Sequence, residues 1–309
     1  MRRHIRHHRV DVEAIHARRR VIDDAPGRPP RVTEHVLAIF TLHEVHALVR
    51  PGGRVPAGAV IVEADLAGAW SPKKLPAGLD SVVHLAQSRW FREFPAQAND
   101  VFDVNFKATF KLLEYARQAK IQRVVFASSG GVYGFSQKLL TEEHAVSPPD
   151  FYLRSKYAGE LLLESYRSLF TTIVLRPFFV YGAGQKSNML MARLARNILR
   201  GEAVKLSGAD GLALNPIHVS DAAGAIAKAV ELPEHALVNI AGKEVLSLRQ
   251  VTEIMGRHLA IDPLFEVDEK PAPDRMVAGI ERMRELLLTP RTSFQEGVAE
   301  VCREALIDR

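Results

Sequence analysis

The chain is nearly devoid of cysteine: its 309 residues include one, Cys302. A single thiol excludes an internal disulfide and any multi-cysteine metal site, and predicts a reducing compartment, the cytoplasm. Long apolar runs are missing as well. No stretch reaches the roughly 20 residues that a membrane-crossing helix needs, and the N-terminus has no apolar core of the kind a secretory signal carries. The body of the chain also lacks a charge excess. The net charge is +5, yet residues 1–20 hold seven arginines against Asp11 and Glu13, which accounts for all of it. The remainder balances, so no basic surface for nucleic acid is predicted. Those first 20 residues read as a basic, disordered arm. The arm's histidines (His4, His7, His8 and His16) have no carboxylate or thiol framework to organise them, and no metal site is expected.

What is present supports a folded core, since 47% of the residues are apolar. Short apolar strands are predicted at Val45–Arg50, Ala59–Ala64, Ser81–Ala86, Arg123–Ser128 and Thr172–Arg176. Helical periodicity covers Asp103–Ala119 and Tyr152–Ser168. Strands alternating with helices imply an α/β fold, a doubly wound parallel sheet with helices on both faces. Ligands of such sheets bind beyond the carboxyl ends of the strands, where Ala86, Ser129 and Pro177 fall. After Arg176 the alternation loosens into helices at Ser187–Arg200 and Ser247–Leu259, with one strand at Ala236–Ile240. The expected division is a sheet domain over 21–176 and, over 177–309, mainly a smaller lobe.

Tyr152 and Lys156 stand four apart on a predicted helix and share one face. An ammonium beside a phenol stabilises the phenolate, which lowers the tyrosine pKa from its usual value near ~10. Ser129 supplies a hydroxyl able to orient a substrate oxygen between them. Such a set moves an alcohol proton while a hydride moves to or from the same carbon. The order around the pair carries more weight than the pair itself. An apolar strand leads into the turn Ser128-Ser129-Gly130-Gly131, then the Tyr/Lys helix, then a strand running into Leu175-Arg176-Pro177-Phe178-Phe179-Val180-Tyr181-Gly182.

In that order the chain resembles the extended short-chain dehydrogenase/reductases, in particular the NAD-dependent epimerase/dehydratase family of nucleotide-sugar enzymes. The resemblance runs from about His43 to the C-terminus. It implies a Rossmann-like dinucleotide-binding domain over 21–176 and a substrate-binding lobe over 177–309. Catalysis would fall to Ser129, Tyr152 and Lys156. On the cofactor side it implies Asp65 and Leu66 near the adenine, and Leu85, Ala86 and Gln87 under the ribose and diphosphate. Asn105 would support the strand ends, with Tyr152, Lys156 and Pro177 at the nicotinamide end. Ser129, Arg176, Phe179 and His218 would meet substrate. A homodimer through the helices near Val101–Ala119 and Tyr152–Ser168 is implied as well.

The departures are as informative as the matches. Between Val21 and Ala38, where the family has three spaced glycines, only Gly27 matches; Asp24 and Pro30 occupy the outer places. A carboxylate repels a diphosphate and proline offers no N–H, so weak dinucleotide binding is expected. Gly130 and Gly131 replace the Asp-Glu pair of the dehydratases, which argues against dehydration. Phe179 stands where many nucleotide-sugar enzymes have Asn, and Leu214 lies where many have Arg. Arg50 closes the second strand, where an acid would favour NAD and an arginine accommodates a 2′-phosphate. NAD and NADP both stay open. The leading reading is an epimerase acting on a nucleotide-sugar hydroxyl through a transient keto intermediate. Two alternatives remain: an NADP-dependent reductase or dehydrogenase of a small carbonyl or alcohol, and a non-catalytic binding protein with the same fold.

Overall fold

Seven short strands, all paired in parallel, form the central sheet of the computed structural model, which describes residues 9–11, 44–52, 59–269 and 275–307. They are β1 (Arg9–Asp11), β2 (Glu44–Val49), β3 (Val60–Glu63), β4 (Ser81–His84), β5 (Arg123–Ala127), β6 (Thr171–Pro177) and β7 (Ala236–Ile240). Their spatial order is β7-β6-β5-β4-β1-β2-β3. The chain therefore winds outward from β1 in one direction and from β4 in the other. That reversal opens a crevice at the carboxyl ends of β1 and β4, the place where doubly wound sheets bind ligands.

The strands are buried because helices cover both faces, and alternate side chains go to opposite cores. Val82 and Val124 join one core with Leu112, Leu113, Ala116, Phe126 and Leu163. Val83 and Val125 join the other, with Ile173, Leu175, Ala222 and Ile226. The first face is covered by α1 (Ala98–Phe102), a π-helical turn at Asp103–Lys107, α2 (Ala108–Gln118) and α3 (Phe151–Ser165). Asp150 caps α3, its carboxylate accepting from the Leu153 N–H at 2.8 Å.

The smaller lobe has its own core. It is built by α4 (Leu190–Arg200), α6 (Leu248–Leu259) and α8 (Phe294–Ile307), with Leu194, Ile198, Val251, Met255, Val298 and Cys302 inside. A capping box of Ser247 and Gln250 starts α6. Between these elements come α5 (Val219–Ala229), which packs on the main sheet, and the short α7 (Glu281–Leu286).

One sequence expectation changes. Residues 1–20 were expected to form a disordered arm, yet Arg9–Asp11 make the strand between β2 and β4: Val10 pairs with Val45 on one side and Ser81 on the other. Three residues with one apolar side chain carry no periodic signal, so only pairing on both edges reveals the strand. Gly27 and the segment Val21–Ala38 lie outside the described residues. The span expected to be mainly the smaller lobe also contributes a strand to the sheet. Ala236–Ile240 returns from the lobe to pair with Ile173–Pro177 at the sheet edge.

Candidate active site

Three strand ends converge on one cavity of about 1120 Å³. Leu85 and Gln87 follow β4, Ser128 and Ser129 follow β5, Pro177 closes β6, and Tyr152 and Lys156 face them from the first two turns of α3; all line that cavity. Ser129 caps a short 3-10 turn (Gly130–Tyr133), and its Oγ accepts from the Gly131 N–H at 3.2 Å. The two glycines that follow have a packing reason. A Cβ on Gly130 would stand 2.3 Å from the Phe178 ring, and one on Gly131 would stand 2.8 Å from Leu153. No acid or base can replace Gly130 without moving the wall of the cavity.

Lys156 is buried, and its ammonium donates to the carbonyl oxygens of Ala127 at 2.7 Å and Ala86 at 3.4 Å. It is thereby fixed at the carboxyl ends of β5 and β4. Tyr152 is half-buried, with its ring centroid 5.0 Å from that of Phe91. Its hydroxyl donates to Gln87 Oε1 at 2.6 Å. The expected depression of the phenol pKa is reversed in the chain as it stands. Desolvation comes first and raises it, Asp150 adds to the rise, and Arg92 opposes it. Without a bound partner the group is a protonated phenol.

The remaining residues expected at the site divide clearly. Phe179 lines the cavity at φ +43°, a left-handed backbone that costs a bulky residue about 1–2 kcal/mol. Asp65 is exposed just past β3, its carboxylate accepting from the Ala67 N–H at 3.1 Å. Arg50 is exposed at the end of β2. Ala86 meets Lys156 through its carbonyl, and its side chain is buried. Leu66 is a core residue, packed with Ala64 and Trp70. Asn105 is buried in the π-helical turn, where it accepts from the Ser88 N–H at 2.8 Å and donates to Ser155 Oγ at 2.9 Å. It holds the strand-end loop against α3.

Arg176 and His218 are corrections, since neither lines the cavity. The Arg176 side chain is 4% exposed and pairs with Glu160 of α3, through Nε to Oε1 at 3.0 Å and Nη2 to Oε2 at 2.5 Å. Its guanidinium also lies 4.5 Å from the centroid of the Tyr133 ring. Ser128 donates to the same Glu160 carboxylate. His218 caps α5 instead. Its Nδ1 meets Ser220 Oγ at 2.7 Å, and Nε2 lies 3.5 Å from Glu300. Sequence reasoning missed Glu160, whose only signal was its place four residues after Lys156 on the same helical face.

The electrostatics suit an anionic ligand. Among the described residues, Arg92, Arg154, Lys156 and Lys186 line the cavity against one acid, Asp150. Among the described residues no group of metal-ligating side chains is found, and no helix is long and apolar enough to cross a membrane. Behind the site, His84 donates through Nε2 to Thr109 Oγ1 at 2.9 Å, because the Thr109 hydroxyl itself donates to the Asn105 carbonyl. Burial, and then the Lys156 charge, hold the His84 imidazole down at about 3. In the unfolded chain His84 takes up its proton near 6.5. Between those values the unfolded state binds more protons, so this contribution to stability is complete above 6.5 and is lost on acidification. In urea unfolding, the stability of the parent relative to His84→Gln should therefore fall as pH falls, by about 1.4 kcal/mol per pH unit inside that window.

The family model described as "NAD dependent epimerase/dehydratase family" matches residues 32–241, a span that begins after Gly27. A Bacillus subtilis (strain 168) protein named "Uncharacterized UDP-glucose epimerase YtcB" is 30% identical, over 77% of this chain and 76% of its own. A dTDP-4-dehydro-6-deoxy-D-allose reductase from Streptomyces sp is 27% identical over 78% of each chain. Among solved structures, MoeE5 in complex with UDP-glucose and NAD has a TM-score of 0.78 and 26% identity, covering 90% of this chain and 96% of its own.

Proposed function

We propose, from the premise that the chain belongs to the NAD dependent epimerase/dehydratase family, that it is an NAD-dependent epimerase of a nucleotide-linked sugar. The observation that carries this reading is the convergence of Ser129, Tyr152 and Lys156 in one cation-lined cavity at the carboxyl ends of β4, β5 and β6. The nicotinamide end of NAD would meet Leu85, Pro177 and the fixed Lys156 ammonium, which line that cavity, and Asp65, exposed just past β3, is suited to the adenine. Bound NAD supplies the acceptor, and later the donor, of one hydride. This chain's residues manage the proton. Ser129 hydrogen-bonds the reacting oxygen, Lys156 provides the nearby positive charge that favours the phenolate, and Tyr152 takes the hydroxyl proton and returns it. Arg92, Arg154 and Lys186 are suited to the diphosphate of the substrate. Gly130 and Gly131 leave no acid–base pair for dehydration.

The test is product analysis with UDP- and dTDP-linked hexoses in the presence of NAD. An inverted hydroxyl with no net change in NADH supports the proposal. Net consumption of NADH or NADPH with an inert inversion assay would instead support a reductase, the second reading. The 27% identical reductase favours that alternative.

We also assign a homodimer and a cytoplasmic location, where a lone buried thiol stays reduced. Phe102, Phe106 and Phe110 recur every four residues along α1, the π-helical turn and α2, with Phe102 49% and Phe110 46% exposed. Leu161 on the adjacent α3 is 53% exposed. A patch of this kind on two neighbouring helices suits a second copy of the chain. Light scattering should give a dimer at micromolar concentration, and Phe110→Glu should give a monomer. A monomeric parent would rule the assignment out.

A further inference from the structure

We propose that Gln87 is a positioning residue for the Tyr152 proton, its carboxamide meeting the phenol oxygen before and after that proton moves. The proposal deepens the reading above, because it takes Tyr152 as the acid–base group.

The geometry begins with a closed ring of contacts. Tyr152 donates to Gln87 Oε1 at 2.6 Å. The next residue, Ser88, is buried and doubly anchored: its N–H donates to Asn105 Oδ1 at 2.8 Å, and its hydroxyl donates to Asp100. Asn105 Nδ2 donates to Ser155 Oγ at 2.9 Å, and Ser155 Oγ donates to the Tyr152 carbonyl at 2.6 Å. On the other side of Gln87, the Ala86 carbonyl is held by Lys156. One buried asparagine therefore sets the position of both ends of the Gln87–Tyr152 bond. The π-helical turn that carries Asn105 aims one amide at the strand-end loop and at α3 together.

A carboxamide is the side chain this arrangement requires. It has one acceptor and two donors on a terminal torsion with two roughly equivalent settings. While the phenol keeps its proton, Oε1 accepts from it. When the phenolate forms, rotation of the amide presents Nε2, which donates to the charged oxygen. The amide exchanges no proton; the O–H bond broken is the substrate's and the one formed is that of Tyr152. Phe91 covers the ring, so a partner in both states matters more than it would in open water. The charged groups acting on Tyr152 are Asp150 at the α3 cap and Arg92 from the loop after β4; Lys156 on α3, Arg154 and Lys186 line the same cavity. None of them occupies the position of the amide.

The experiment places a fluorinated tyrosine, whose phenol ionises near neutral pH, at position 152 and follows it by fluorine NMR. The parent is compared with Gln87→Glu, which keeps the acceptor, loses the donors and adds a negative charge. A unit charge about 3 Å away should raise the midpoint by about one pH unit even at the dielectric of water. In the unlabelled enzyme, the rising limb of kcat/KM against pH should move up with it. Gln87→Leu should lower kcat by roughly tenfold or more with KM changed much less. A fluorotyrosine midpoint that stays in place or falls in Gln87→Glu overturns the proposal, as does a Gln87→Leu enzyme with the parent's kcat. The NMR arm needs no turnover. If Tyr152→Phe proves fully active while the midpoint still rises, the functional reading fails and the contact with Gln87 stands.

Discussion

Tyr152→Phe should lower turnover by about 10²- to 10⁴-fold, the usual range for loss of a positioned acid–base group. The substitution removes one oxygen and keeps the ring, which packs against Phe91. Lys156 stays fixed by the Ala127 and Ala86 carbonyls, neither of which involves Tyr152. Gln87 is exposed and finds water in place of the phenol. Binding of NAD, measured by calorimetry, and KM should therefore change little while kcat collapses. That split separates loss of chemistry from loss of structure. Unchanged turnover would remove Tyr152 from the reaction, and with it the proposed proton route.

The largest expected effect on stability lies one layer behind the cavity. Glu160→Leu should lower the unfolding free energy by about 3–5 kcal/mol, because it strands a buried guanidinium. Glu160 and Arg176 have side chains 8% and 4% exposed, and the carboxylate also accepts from Ser128. Burial disfavours the Arg176 charge and the Glu160 bonds outweigh it, so the guanidinium is held above its ordinary range. Nη1 of Arg176 already has no hydrogen-bond partner and rests on the Tyr133 ring. Removing Glu160 leaves that cation with the ring and little else. The double variant Glu160→Leu/Arg176→Met should recover most of the loss, since it buries no charge. Urea unfolding of the single and double variants checks both statements. A loss below about 1 kcal/mol in the single variant, the scale of an exposed pair, would mean the site is open to water.

The same pair shows how far local reading reaches. Arg176 follows an apolar strand and precedes Pro177, so sequence places it beside the cavity, and it was expected to touch substrate. In β6, Leu175, Arg176 and Pro177 differ in which way they face, and Arg176 turns inward because Glu160 lies across from it on α3. His218 was misread in the same way, since capping α5 and facing Glu300 fix it inside the smaller lobe. Asn105, by contrast, is buried beside the end of β4, where its side chain accepts from the Ser88 N–H.

The sequence by itself determined the α/β alternation, the strands of the main sheet from β2 to β7, and the grouping of Ser129, Tyr152 and Lys156. Each of these is written in short-range spacing: period two in strands, four in helices, and a turn between them. Tertiary structure decided what spacing does not encode. It placed Arg9–Asp11 between β2 and β4, where pairing on both edges makes a strand of three residues. It brought Gln87 to Tyr152 across 65 residues. It also raised rather than lowered the Tyr152 phenol, because desolvation depends on everything packed around a group, Asp150 adds to it, and Arg92 only partly opposes it.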